Sequence, residues 1–141
     1  MKLQKLLFIT ALLISGLALT SAAADVKVIA NPGISASSIS ADELKRIFLQ
    51  TKASLEDGTH VQPVLAKQGA AHETFVKTYL GKTDAALQTY YRALVFTGKG
   101  SMPKTVDPDS ETVAYVTKTK GAIGYISGTS DAAGAKTLEV K

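Results

Sequence analysis

Residues 122–126 read Ala-Ile-Gly-Tyr-Ile and are apolar or small at every position. A strand with one wet face alternates polar and apolar residues, and this one does not. It therefore demands cover on both faces, as strands of an α/β sheet receive. The residues before it fit that demand. Val113 and Val116 lie three apart, as on one face of a closing helix. Lys118 and Lys120 sit where cations suit the negative end of a helix dipole, and Gly121 is placed to end the helix in a left-handed conformation. The expected unit is a helix delivering the chain into a buried strand. Gly124, inside that strand, marks a close approach of backbone or ligand, or simply a packing glycine.

The chain has 141 residues, enough for one domain. Residues 1–24 are expected to lie outside it. Lys2 and Lys5 make a basic start, residues 6–19 are almost continuously apolar, and Ala22, Ala23 and Ala24 fit a small-residue cleavage site before Asp25. This is the pattern of a secretory signal peptide, which predicts a periplasmic or secreted mature domain over residues 25–141. The apolar run is short for a membrane span and no later stretch reaches that length, so no stable membrane anchor is expected. Lys2 and Lys5 leave with the leader and lower the net charge of +4 by two. Basic clusters are not interleaved with aromatic residues, so nucleic acid is not an expected partner. There is no cysteine, which excludes disulfides, thiolate metal sites, a cysteine nucleophile and a lipid-bearing cysteine.

In order, residues 25–30 read as a first strand, ended by Asn31, Pro32 and Gly33. The Ser-rich residues 34–39 read as a loop. Ser40 and Glu43 form a capping box for a short helix that buries Leu44, Ile47 and Phe48, with Lys45, Arg46 and Lys52 on its wet side. Asp57 and Gly58 signal a turn, and residues 60–65 a second strand in which Pro63 asks for an edge or strand-end position. Ala71, Phe75, Val76, Tyr79 and Leu80 fall at helical spacing, with Gly81 closing that helix. Thr83 and Asp84 open a third helix with Leu87, Tyr91, Leu94 and Val95 on one face. Residues 98–104 form a loop. Asp107 is expected as an N-cap with Pro108 at the first helical position, and residues 137–140 as a last strand. Alternating strands and helices predict an α/β fold, a small mixed sheet flanked by helices.

Catalytic and metal signatures are missing. His60 and His72 are the only histidines, and neither has a partner at metal-ligand spacing. There is no Gly-x-Ser-x-Gly elbow and no dinucleotide fingerprint, so no cofactor and no enzymatic activity is expected. Asp42, Glu43, Asp107 and Asp109 all sit where helix starts favour acids. Two loops carry anion-binding potential. Lys67, Gln68 and Gly69 lead into a helix start, with His72 in its first turn. Lys99, Gly100 and Ser101 offer a cation and backbone amides. A capped turn and a solvated loop are the simpler readings of the same residues.

Several stretches together resemble the periplasmic phosphate-binding proteins of ABC transporters. They are Ser40 with the nine residues after it, Asp57-Gly58, residues 61–64, residues 75–80, Phe96 with Thr97 to Gly100, and Lys120 with the following Gly-Ala-Ile-Gly-Tyr-Ile. The resemblance covers nearly all of residues 25–141 in the family's order. It implies one lobe of a type II periplasmic binding protein, a two-lobed solute-binding fold that holds its anion between the lobes at helix N-termini. The family's second lobe carries a segment like Arg-x-Asp-Gly-Ser-Gly-Thr. Aligned without gaps, its arginine falls on Ala66, its aspartate on Gln68, its serine on Ala70 and its threonine on His72, and only Gly69 remains. Lys67 and His72 keep positive charge there without the fork of an arginine. The expected function is a non-enzymatic binding module for phosphate or another small oxyanion, weak alone or completed in a homo-oligomer or by another protein. The alternative is a protein-interaction domain that has lost its ligand, with apolar surface exposed on the hinge side.

Overall fold

The computed structural model describes residues 25–141; the expected leader over residues 1–24 lies outside the described residues. The elements run β1 (Val26–Ala30), β2 (Ser38–Ile39), α1 (Ala41–Phe48), β3 (Gln62–Leu65), α2 (Ala70–Phe75), a π-helical continuation (Val76–Leu80), α3 (Asp84–Phe96), β4 (Lys104–Thr105), α4 (Asp109–Lys118), β5 (Ala122–Ser127) and β6 (Lys136–Val140). Six strands form one mixed sheet in the order β2-β6-β1-β5-β3-β4. β1 is antiparallel to both β5 and β6, while β2 runs parallel to β6, and β3 parallel to β5 and β4.

β5 is the hub, as its sequence requires. It pairs with β1 over five residues and with β3 on its other side, and residues 122–126 are all buried. Its alternate side chains enter two cores. Ile123 and Tyr125 join Leu44, Phe48, Phe75, Leu87 and Tyr91 under α1, α2 and α3, whereas Ala122 and Ile126 join Ile29, Val64, Val113 and Val116 under α4. A Cβ on Gly124 would lie 3.3–3.4 Å from Val116 and Val64, so this glycine admits close packing of protein on protein.

Local rules account for most element ends. The Ser40 hydroxyl accepts the Glu43 amide at 3.1 Å, one half of the expected box. The other half is replaced: the Glu43 carboxylate takes the Lys52 ammonium at 2.8 Å, so Lys52 is paired rather than simply solvated. Gly81 ends the second helical run at φ +63° and Gly121 follows α4 at φ +76°. α4 starts one residue later than expected, with Pro108 as its cap residue. Asp109 instead ties that helix to the end of β5, accepting from the Ser127 amide at 3.0 Å and the Ser130 hydroxyl at 2.6 Å. β2 and β4 are two-residue strands inside segments that read as loops, and each exists through pairing with a distant strand rather than through its own pattern. Pro63 lies in β3 beyond the reach of β4, which covers only Val64 and Leu65.

This topology creates two unlike edges. β2, β3, β4, β5 and β6 all point the same way, so the chain leaves β2, β3 and β4 at one edge and enters α1, α2 and α4 there. Three helix starts therefore gather at the carboxyl edge. The loop from α3 to β4 lies at the opposite, amino edge.

Candidate functional site

Residues 66–69 carry the chain from β3 into α2 at the carboxyl edge. Lys67, Gln68 and Gly69 are exposed. Gly69 adopts φ +109°, a conformation that side chains rarely take, and a Cβ there would meet nothing within 4 Å. The turn thus depends on glycine for its backbone angle, and space remains in front of it. Lys67 also borders a groove of about 420 Å³ between β4 and α4, shared with Lys104, Lys118, Asp107, Glu111 and Tyr115. Lys104 and Lys118 are exposed cations on one groove with Lys67; sequence placed Lys118 at a helix end and neither as an anion contact.

His72 does not face this space. Its ring is 2% exposed and both nitrogens are engaged within the protein. Nδ1 lies 2.5 Å from the Tyr125 hydroxyl and Nε2 lies 2.8 Å from Asp84 Oδ1. The expectation that His72 contacts an anion is corrected on this point: no ring nitrogen is free, because helical spacing from Phe75 and Val76 turns residue 72 inward. The Tyr125 hydroxyl in turn accepts the Ala66 amide at 3.1 Å, so the histidine supports the turn from behind. Tyr125 is fully buried, its ring stacked on Phe75 at a centroid distance of 3.9 Å, and burial pushes its hydroxyl well above the usual tyrosine range. The hydrogen bond from His72 is the foremost cause that holds the Asp84 carboxyl below its ordinary value.

Lys99, Gly100 and Ser101 do not join this site. They lie in the loop at the amino edge. The Lys99 and Gly100 amides both donate to the Leu94 carbonyl, and the Ser101 amide donates to Gln50 Oε1 at 3.0 Å. Gln50 returns a second bond, from Nε2 to the Ser101 carbonyl at 2.5 Å. The expected anion nest there has its amides occupied; Ser101 borders a separate cavity of about 340 Å³ with Gln50, His60 and Lys104. The two loops with anion-binding potential in the sequence are therefore held at opposite ends of the sheet.

Phe96 is 93% exposed, with Val95 and Met102 half-exposed, and all three lie around the α3–β4 loop. Val95, expected on the buried face of α3 with Leu87, Tyr91 and Leu94, is half-exposed while Leu94 still packs against the core. Among the described residues, no group of three or more His, Cys, Asp or Glu side chains could hold a metal ion, and no helix is long and apolar enough to cross a membrane.

Tyr125 and Asp84 were not legible as site residues. Tyr125 reads as one more apolar strand position and Asp84 as a helix opener. The sole sequence signal is that Tyr125 brings a hydroxyl into an otherwise apolar strand, where it must find a partner.

No protein-family model matches the chain, and no curated protein matches it by sequence. Solved structures do match. A phosphate ABC transporter substrate-binding protein with bound phosphate, from Clostridium perfringens, is 15% identical with a TM-score of 0.60, over 83% of this chain and 45% of its own. An ABC-type phosphate transport receptor from Vibrio cholerae is 12% identical with a TM-score of 0.61, over 83% of this chain and 46% of its own. PstS from Borrelia burgdorferi is 14% identical with a TM-score of 0.62, over 84% of this chain and 47% of its own. The chain has the fold of one lobe of these proteins. It spans about half their length, and at such identities the likeness is one of fold.

Proposed function

We propose that this chain is a non-enzymatic, exported solute-binding domain that takes phosphate or a related small oxyanion at Lys67, Gln68 and Gly69. Binding is weak for the domain alone and firmer when a second subunit closes over the carboxyl edge. The observation that carries the reading is the exposed Lys67–Gln68–Gly69 turn, with its positive-φ glycine, on the edge where three helices begin. Helix N-termini offer free N–H groups and a positive dipole end to an anion, and Lys67 adds a full charge. The fold of phosphate-transport receptors supports the ligand class. The weakness follows from what is missing: His72 is committed inward, and no arginine fork stands beside Lys67. Residues 1–24 are proposed as the signal peptide that delivers residues 25–141 to the periplasm or beyond.

Isothermal titration with phosphate and sulfate tests this. Dissociation constants of about 1 mM are expected, a binding free energy of about 4 kcal/mol, with Lys67→Ala abolishing the heat. No heat and no thermal stabilisation at 50-fold higher anion, on the order of tens of millimolar, would remove the reading.

A second reading has its own observation. Phe96, 93% exposed at the end of α3, is the kind of anchor that a protein partner covers. A protein-interaction domain without a ligand would form a stable oligomer or complex by light scattering, show no response to anions, and lose assembly on Phe96→Ser.

A further inference from the structure

Asp84, His72 and Tyr125 form a chain of hydrogen bonds whose direction can be worked out from its outer end. The Asp84 side chain is 46% exposed, sits in the first turn of α3 and borders an open groove with Glu73, Lys77 and Lys82. Its depressed carboxyl is ionised at neutral pH and can only accept. The proton between Asp84 and His72 is therefore on Nε2. A neutral ring then presents a bare Nδ1, which must accept from the Tyr125 hydroxyl 2.5 Å away. Tyr125 leads to the same answer. Its hydroxyl stays protonated, its other neighbour is the Ala66 N–H, itself a donor, and so its own proton has His72 Nδ1 as the acceptor. The tyrosine oxygen is left free to accept the Ala66 amide. Each buried donor and acceptor along the chain has a partner, in agreement with the lack of unpaired buried side-chain polar atoms among the described residues, and at the outer end Asp84 Oδ1 also accepts from Gln88 Nε2 at 3.5 Å.

We propose that Asp84 is a positioning residue that holds the turn at residues 66–69 in shape, acting through the tautomer of His72 and the hydroxyl orientation of Tyr125. The link runs from an exposed carboxylate on α3, through a buried ring on α2, to the first residue of the turn. An amide in place of the carboxylate can donate to Nε2, which frees the ring proton to move to Nδ1. Nδ1–H then occupies the tyrosine oxygen, and the tyrosine O–H loses its acceptor in a buried setting. The Ala66 amide then has to compete for its partner. The importance of the turn for oxyanion binding rests on the proposed function; the direction of the chain does not.

The test is nitrogen-15 NMR of the His72 ring together with hydrogen exchange at the Ala66 amide, both without ligand. The wild-type protein is expected to carry its ring proton on Nε2. Asp84→Asn is expected to move it to Nδ1 and to speed Ala66 exchange about tenfold, equivalent to about 1.4 kcal/mol. Asp84→Glu, which restores a carboxylate, is expected to recover both. If Asp84 served only the α3 dipole, Asp84→Asn would lower stability and leave the ring proton in place, which would overturn the proposal. So would a wild-type ring protonated on Nδ1. Tyr125→Phe should bring Ala66 exchange to the same final rate in the wild-type and Asp84→Asn backgrounds, and an additive further effect of Asp84→Asn in the Tyr125→Phe background would also overturn the proposal. Since no ligand enters these measurements, failure of phosphate to bind bears on the proposed function alone.

Discussion

His72 and Tyr125 are 53 residues apart in sequence, and their polar atoms meet at 2.5 Å beneath the turn at residues 66–69. The contact converts a histidine expected to face an anion into part of the floor under the turn. It also makes Tyr125, the one polar side chain in the buried run 122–126, structurally accountable. Tyr125→Phe keeps the ring stacked on Phe75 while stranding His72 Nδ1 and the Ala66 amide. The expected destabilisation is about 1–3 kcal/mol by denaturant unfolding, the usual consequence of unpaired buried polar groups. A loss below about 0.5 kcal/mol would show that these groups find other partners.

Two glycines separate backbone strain from steric crowding. Gly69 and Gly121 both have positive φ, but a Cβ on Gly69 meets open space whereas one on Gly121 would lie 2.5 Å from the His60 carbonyl oxygen. Gly69→Ala is expected to cost about 1–3 kcal/mol from conformation alone. Gly121→Ala adds a backbone clash next to the hub strand and is expected to cost more, measured in the same unfolding experiment. Equal losses would mean that the His60 segment gives way freely.

Acid should act through Asp84. Its folded-state pKa is depressed from 3.8, first by the hydrogen bond from His72. A depressed acid stabilises the folded state above its unfolded value and loses that contribution as pH falls through the lower folded value. Stability should therefore decline below about pH 4, and Asp84→Asn should flatten that part of the profile. An unchanged acid limb in the variant would contradict the assignment.

How much was legible from sequence followed the range of the forces involved. Residues 122–126 announced a doubly covered strand through composition, and Ser40, Gly81 and Gly121 announced helix ends through local chemistry. β2 and β4 carry no such pattern, because two-residue strands are made by their partners. At the site, Lys67, Gln68 and Gly69 were readable as a turn into a helix, and the turn is there. His72 was misread because charge was weighed ahead of its helical phase with Phe75 and Val76. Residues 98–101 were read correctly as a loop, but only sheet topology reveals that they lie at the other edge. Gln50 occupying the Ser101 amide is a contact across 51 residues that no local rule anticipates.

Phe96 offers a discriminating control. It is 93% exposed, so Phe96→Ser should shift the folding free energy of the isolated chain by no more than about 0.5 kcal/mol. A drop in molecular mass by light scattering with unchanged stability per subunit would identify it as an interface anchor. A large loss of monomer stability would show that it packs within its own chain.

The measurement closest to the centre of this account is a phosphate titration followed at individual backbone amides by NMR. Saturable shifts at Lys67, Gln68, Gly69 and Ala70 that vanish in Lys67→Ala are the expected result. Shifts confined to Lys99, Gly100 and Ser101, or none at any residue at anion concentrations of tens of millimolar, would contradict a carboxyl-edge oxyanion site.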